Sequence, residues 1–418
     1  MWLCSSDAAP SEHPQDADIG QYSYLRGDHS ITPDTHWARP LVHTLLSTGR
    51  QIVFTASTEN RVRTFDTATG ELINKRQILP PWPMQGANCT KLGQSMGIMG
   101  MPVTYTDYDD GIAFFYAKSY IEDYRVPGGA APPLNGIYYH FGIYLNTLQD
   151  LHKFPLPIND LPHNNDSRKM SLRGSLAVNL RSRNIYRWAT QAGPDPPTGG
   201  IWQSEIGIAS NGRHVYLTTD NGGSVETNVS GSPIGGFAVL DETFKTTDRR
   251  NLGVATSRNS KMYMQDLDNL GGFRQGRNGT DSVPQTIYLH GEVYGYIYVD
   301  PGNAPLSAYA FKSSNSSNHL FTLAGKSAKT TLHSIGVGTP TVTSDRGTPR
   351  SGIVWVTDVE KGLLAYKAVP ENESLVKIPV PKLQGAMKFG RPVFGDGRAT
   401  IKEHALRHKN NSEPDITQ

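Results

Sequence analysis

An all-β fold is predicted by three features of the 418-residue chain. Its 42 Gly and 28 Pro make up about one residue in six, against roughly one in eight in average proteins, an excess of turn-forming residues. Short runs rich in Val, Ile, Tyr, Phe and Thr are separated by Gly, Pro, Asn and Asp clusters, while amphipathic stretches with a 3.6-residue period are hard to find. A Gly- and Pro-containing segment also recurs along the chain, two of its copies about one blade length apart, which narrows the all-β reading to a β-propeller.

The elements follow in chain order. Residues 1–20 are polar and rich in Asp, Ser, Ala and Pro, and residues 403–418 are polar and charged without apolar periodicity, so both ends are expected to be disordered around a propeller spanning 21–402. Candidate strands are Gln51 to Ala56, Arg61 to Phe65, Gly111 to Ala117, Tyr138 to Leu145, His214 to Thr219, Gln285 to Leu289, Val293 to Val299, Gly352 to Thr357 and Gly362 to Lys367. Before Gln51 the strand signals, around Gln21 to Leu25 and Leu41 to Leu46, are weak, so an incomplete first blade is expected.

The segment Gly97-Ile-Met-Gly-Met-Pro-Val-Thr104 returns as Gly336-Val-Gly-Thr-Pro-Thr-Val-Thr343 and more loosely as Lys388-Phe-Gly-Arg-Pro-Val-Phe394. The first two lead into a turn and an apolar strand, Gly111 to Ala117 and Gly352 to Asp358. Ile206 to Thr219 has the same strand, turn, strand shape. Pro340 and Pro392 lie 52 residues apart, close to the length of a propeller blade of four antiparallel strands. At about 50 residues per blade, the span predicts seven blades, or eight with some shortened. A second element, Val62 to Leu72, reads as a strand, a turn anchored by Asp66 and closed by Gly70, and a further strand. Gly142 to Leu151 and Phe237 to Phe244 look like worn copies.

Composition excludes several classes of function. A formal charge of +2 with 19% charged residues leaves no electrostatic footprint for nucleic acid or an anionic membrane. No apolar run is long enough for a transmembrane helix. Cys4 and Cys89 cannot build a disulfide framework or a zinc site. There is no nucleophile elbow, phosphate loop or HExxH. Sequons at Asn88, Asn165, Asn228, Asn278, Asn315, Asn372 and Asn410 point to a secretory route, although the first residues carry no signal-peptide pattern.

Several segments resemble the quinoprotein alcohol dehydrogenase-like propellers, in the fungal secreted branch related to polyvinyl-alcohol dehydrogenase. They are Ile52 to Gly70, Gly97 to Val103, Gly199-Gly-Ile-Trp-Gln-Ser204, Val215 to Gly222, Asp266 to Phe273, Leu323 to Lys326 and Ile335 to Ala365. The resemblance implies a monomeric secreted propeller that oxidises an alcohol, a polyol or a pathway intermediate with pyrroloquinoline quinone held by calcium. Tyr216-Leu-Thr-Thr-Asp-Asn-Gly222 is similar to the family strand whose Asn ligates calcium, which places that role on Asn221. Val254 to Tyr263 is similar to the strand whose cation holds the quinone oxygens, which places that role on Arg258.

The sequence departs from that pattern in three ways. The vicinal cysteine pair of active members is absent. Between Asn221 and Arg258 the carboxylates Glu226, Asp241, Glu242 and Asp248 stand outside the family's acidic motif, so no general base is assigned. After Gly70 the usual Trp is replaced by Glu71-Leu-Ile-Asn-Lys75. Two alternatives therefore stand beside the dehydrogenase: a propeller that kept the fold as a binding or scaffold protein and binds neither cofactor, or a cofactor-free pocket reused in fungal secondary-metabolite biosynthesis.

Other candidates read first as structure. Trp202 and Trp355 are expected in blade packing. The Asp266, Asp268 and Asn269 cluster reads as a turn. Asp107, Asp109 and Asp110 are expected as solvated residues of a hairpin turn beside Gly111. His29, His36 and His43 share a spacing of seven, but Pro33 and Pro40 break any helix that would align them.

Overall fold

The computed structural model describes residues 38–83, 95–106, 110–120, 136–157, 209–210, 215–218, 237–240, 252–256, 262–266, 273–275, 284–289, 295–299, 305–311, 321–328, 338, 340–344, 350–380, 386, 390–395 and 398–400. Every regular element among them is a β-strand. The first sheet is β1 (Leu41–Thr44), β2 (Gln51–Ala56), β3 (Arg61–Asp66) and β4 (Leu72–Gln77), antiparallel and in chain order. A two-residue ladder of β5 (Trp82–Pro83) and β6 (Ser95–Met96) lies in the connection to the next sheet. That sheet is β7 (Val103–Tyr105), β8 (Ile112–Tyr120), β9 (Gly136–Tyr144) and β10 (Leu156–Pro157).

Two three-stranded sheets follow, β11 (Ala209–Ser210), β12 (Val215–Thr218) and β13 (Phe237–Leu240), then β14 (Leu252–Thr256), β15 (Met262–Asp266) and β16 (Phe273–Gln275). Next come two four-stranded sheets. They are β17 (Pro284–Leu289), β18 (Gly295–Val299), β19 (Ser307–Phe311) and β20 (Phe321–Lys326), then β21 (Thr341–Thr343), β22 (Ile353–Asp358), β23 (Gly362–Lys367) and β24 (Lys377–Ile378). The last sheet is the pair β25 (Val393–Gly395) and β26 (Arg398–Thr400).

First strands of neighbouring sheets lie side by side: β1 by β7, β14 by β17, β17 by β21, and β25 by β1. Successive meander sheets whose inner strands converge, with the last sheet returning to the first, make the protein a β-propeller. Closure is visible at Gly395, where an added Cβ would sit 2.9 Å from both Gln51 Oε1 and Val42 Cγ1 of the first sheet. The weak signal at Leu41 to Leu46 hid a true inner strand, so the first sheet has its four strands where an incomplete blade was expected. Among the described residues, the two-stranded sheet stands at the other side of the closure.

Stacking sheet on sheet explains why the middle strands are apolar on both sides. In β22 all six residues are buried. Val354 and Val356 join Tyr298, Leu364 and Tyr366 in the layer towards the preceding sheet. Ile353 and Trp355 face the other way, with Leu363, Ala365 and Ala399. The first two sheets share a similar layer in which Phe115 stacks on Phe141 at 5.5 Å and meets Phe54 at 6.1 Å. Truncating one such aromatic side chain costs about 3–5 kcal/mol.

The recurring Gly segments form the seams. Each precedes an inner strand and packs where the second strand of a sheet ends. Ile98 N–H donates to Ser57 O at 3.2 Å in the turn of the previous sheet, and Lys118 N–H donates to Gly97 O at 3.3 Å. Gly338 N–H likewise donates to Thr357 O at 2.9 Å, and Thr357 Oγ1 donates to the carbonyl of Gly390 in the third copy. A Cβ at Gly97 would stand 2.3 Å from Asn60 Oδ1, and one at Gly338 only 1.8 Å from Gly390 O. These positions need glycine because backbone occupies the space of a side chain.

Gly338→Ala is expected to destabilise the protein by about 2–4 kcal/mol in urea unfolding. Gly49→Ala, which has no neighbour within 4 Å and carries only a φ of +69°, is expected to cost about 1 kcal/mol. Equal losses for the two would remove the seam argument.

Candidate functional site

Strand direction alternates within each sheet, so the intersheet connections and the turns between second and third strands share one face of the ring. Turns between first and second and between third and fourth strands share the other. At the first seam each face carries a buried polar cluster.

On the face of the intersheet connections, Lys118 lies near the end of β8 and is fully buried, as is Trp82 from β5. The Lys118 Nζ lies 4.1 Å from the Trp82 ring centroid and 5.2 Å from that of Tyr138, its partner across the β8–β9 ladder. An ammonium held away from water over aromatic faces gains about 2 kcal/mol from each good contact. Asn60, in a tight turn at φ 56°, donates from Nδ2 to Lys118 O at 2.8 Å. Ser119 Oγ donates to Pro80 O at 2.7 Å, and Tyr138 Oη to Met96 Sδ at 3.7 Å. The cluster joins the first sheet, the β5–β6 connection and the second sheet. Its sequence signal was the lone Lys in the apolar run Ile112 to Tyr120, which strand patterning alone assigned no role.

On the other face Asp110 is the centre. Its Oδ1 accepts from Ser47 N at 2.8 Å, and its Oδ2 accepts from Ser47 Oγ and Asn146 Nδ2, each at 2.8 Å. The expectation of a solvated Asp110 is corrected: it does lie in the β7–β8 turn, but it is buried, because three donors from two other turns replace its water. Burial alone would raise its carboxyl; the hydrogen bonds from Ser47 and Asn146 and the nearby His43 outweigh it and hold the group below the ordinary carboxylate range. Outside this cluster, Arg76 makes a bidentate pair with Asp150 at 2.7 and 2.9 Å and donates to Leu148 O at 2.7 Å, while Asn74 donates to Asn146 O. Sheet one is thus tied to sheet two from its inner turn to its outer strand.

The predicted turn anchored by Asp66 is present. Thr69 N–H donates to Asp66 Oδ1, Gly70 N–H donates to Asp66 O at 2.9 Å, and Arg50 pairs with Oδ2. Its worn copy repeats the geometry, with Leu148 N–H donating to Tyr144 O at 2.8 Å and Leu148 at φ 59° where Gly70 has φ 79°. Leu148 is buried in the layer between the first two sheets, so its packing opposes the strain of a left-handed Leu.

The residues assigned by family resemblance, Asn221 and Arg258, lie outside the described residues, as do Trp202, Asp107, Asp109, Asp268, Asn269, His29, His36, both cysteines and the carboxylates Glu226, Asp241, Glu242 and Asp248. The backbone of Asp266 ends β15. Trp355 is a packing residue: Nε1 donates to Thr343 Oγ1 at 2.8 Å and its ring meets Phe394 at 5.2 Å. Of the sequons, Asn372 is described, exposed in a tight turn at φ 49°. Among the described residues no three His, Cys, Asp or Glu side chains come together as a metal site, and no helix is long and apolar enough to cross a membrane.

No protein-family model matches the chain, and no curated protein sequence matches it. Among solved structures it is similar to the computationally designed Ika8 protein, at 12% identity over 90% of this chain and 95% of that one, TM-score 0.42. It is similar to BBS1N in complex with ARL6DN, at 12% identity over 88% and 87%, TM-score 0.38. It is also similar to the β-propeller domain of Myceliophteria thermophila Cps50 (Swd1), at 9% identity over 90% and 92%, TM-score 0.33. The sheet order and the seams define this chain as a β-propeller.

Asp110→Ala leaves the Ser47 and Asn146 donors buried without an acceptor and is expected to cost about 3 kcal/mol, with Asp110→Asn falling between it and the parent. Since the folded carboxyl titrates below its ordinary value, its contribution is complete at neutral pH and drains as pH falls below about 4. Urea titrations at pH 7 and pH 3 check both; equal stability of Asp110→Ala and the parent at pH 7 would refute the clamp.

Proposed function

We propose that the chain is a binding propeller, a rigid ring that presents the loops of one face to a partner or small ligand and carries out no quinone chemistry. The observation that carries this reading is where the described polar side chains are used. Lys118, Asn60, Asp110 and His43 are buried between the first two sheets, and Asp66 is buried in closing a turn. A general acid or base has to reach a substrate, whereas these groups face neighbouring sheets.

The cysteine content supports this reading over a quinone and calcium centre. Cys4 and Cys89 stand far apart in the sequence, so the vicinal pair of active family members cannot form.

One observation favours a second reading, the order of family-like segments from Ile52 to Ala365. It would make the chain a dehydrogenase of an alcohol or polyol, with Asn221 offering its side-chain carbonyl to calcium and Arg258 holding the quinone oxygens. Titrating the full chain with pyrroloquinoline quinone and calcium separates the two. No binding is expected up to about 100 μM quinone, a range that reveals any affinity of biochemical use. A bound-quinone spectrum with dye reduction by alcohols, both lost in Arg258→Ala, would replace the binding reading with the dehydrogenase.

A further inference from the structure

The first seam contains one buried titratable side chain that no contact described so far explains. His43 lies in β1 and is 4% exposed. Its Nε2 has no hydrogen-bond partner, while the imidazole bonds to the backbone of Asp110. The ring faces Gly111, at φ 89°, so closely that a Cβ there would stand 2.4 Å from Nε2. In the neutral tautomer Nδ1 donates to the Asp110 carbonyl and the bare Nε2 lies against the Gly111 backbone. A second proton would place a charged N–H where backbone leaves room for neither water nor an acceptor.

Among the described residues that charge finds little compensation. From the elements packed against it, the imidazole meets one charged group among the described residues, Asp110, whose two oxygens already accept from Ser47 and Asn146. On β2 its register partner is Ile52. On β7 the titratable side chain is Tyr105, and β25 brings Gly395 against Val42. Arg50, at the far end of the β1–β2 turn, is paired with Asp66.

We propose that His43 makes the first seam an acid-sensitive latch: neutral, it lets the β1–β2 and β7–β8 turns close on each other, and protonated, it forces them apart. Burial, only partly offset by Asp110, pulls the imidazole below its ordinary value of 6.5. The closed seam binds fewer protons than the open one below that value, so the latch is fully shut above it and weakens as pH falls. Opening should rise by up to about tenfold per pH unit in that window, the limit for a single proton. The latch belongs to the fold and does not depend on the proposed binding role.

Hydrogen exchange of the full chain between pH 7 and pH 5 tests this, with the intrinsic pH dependence of exchange removed. The reporter is the Leu145 amide, which donates to Gly111 O at 3.0 Å. The ladder of β22 and β23, away from the first seam, serves as reference. Protection at Leu145 is expected to fall as pH drops below about 6.5, by no more than about tenfold per pH unit, while the reference stays constant, and the fall is expected to vanish in His43→Gln and in His43→Phe, neither of which titrates. An unchanged fall in both variants, or an equal fall at β22, would overturn the latch. Should one variant fail to fold, the other decides.

Discussion

Backbone pressed against backbone at the seams is the constraint on which the ring depends. A meander sheet with apolar residues on both sides cannot stand alone in water, since each middle strand needs a neighbour on either face. Ile353 and Trp355 face one adjacent sheet, and Val354 and Val356 the other. For the sheets to come that close near the axis, the segments entering the inner strands must cross the ends of second strands without side chains. Gly97, Gly338 and Gly390 meet that demand: an added methyl would overlap an oxygen, at 2.3 Å for Gly97 and 1.8 Å for Gly338, and the Gly390 carbonyl is itself the oxygen that Thr357 and Gly338 crowd. Packing energy then follows from geometry that the glycines permit.

The first seam adds polar bracing at both ends of that layer, with different physics on each face. Lys118 is held by aromatic faces and by backbone hydrogen bonds at both of its peptide groups. Asp110 is held by donors from two separate turns. Both groups lose water on burial and recover part of that free energy only when the two sheets are correctly placed. Such clusters tie the register of one sheet to that of the next, because donor and acceptor meet only when both sheets are in place. Asn60 Oδ1, Trp82 Nε1 and His43 Nε2 are buried in the brace without a hydrogen-bond partner, and of these three side chains only that of His43 can take up a proton near neutral pH.

Much of the architecture was legible in the sequence. The repeated Gly and Pro segment marked blade spacing, and the Asp66 to Gly70 turn was readable because Asp and Gly are required by its hydrogen bond and its positive φ. Its worn copy was readable only as a likeness, since Leu148 takes a conformation no local rule assigns to leucine. The inner strand β1 was faint because four residues bordered by a Pro give little pattern; its place is set by pairing with β2 and by contact with β25.

The buried polar residues of the first seam divide differently. Asp110 in sequence is one of three carboxylates beside a glycine, for which solvent is the ordinary environment; its burial depends on Ser47, 63 residues earlier, and Asn146, 36 residues later. Lys118 and Trp82 are joined by the β5–β6 connection folding back over the sheet. By itself the sequence determined the all-β class, the repeat and the turns, because those rest on periodicity and on backbone conformations that few residue types tolerate. Only the tertiary structure decided which polar groups are buried and against what, because the burial of a charge depends on donors that meet it from distant turns when the ring closes.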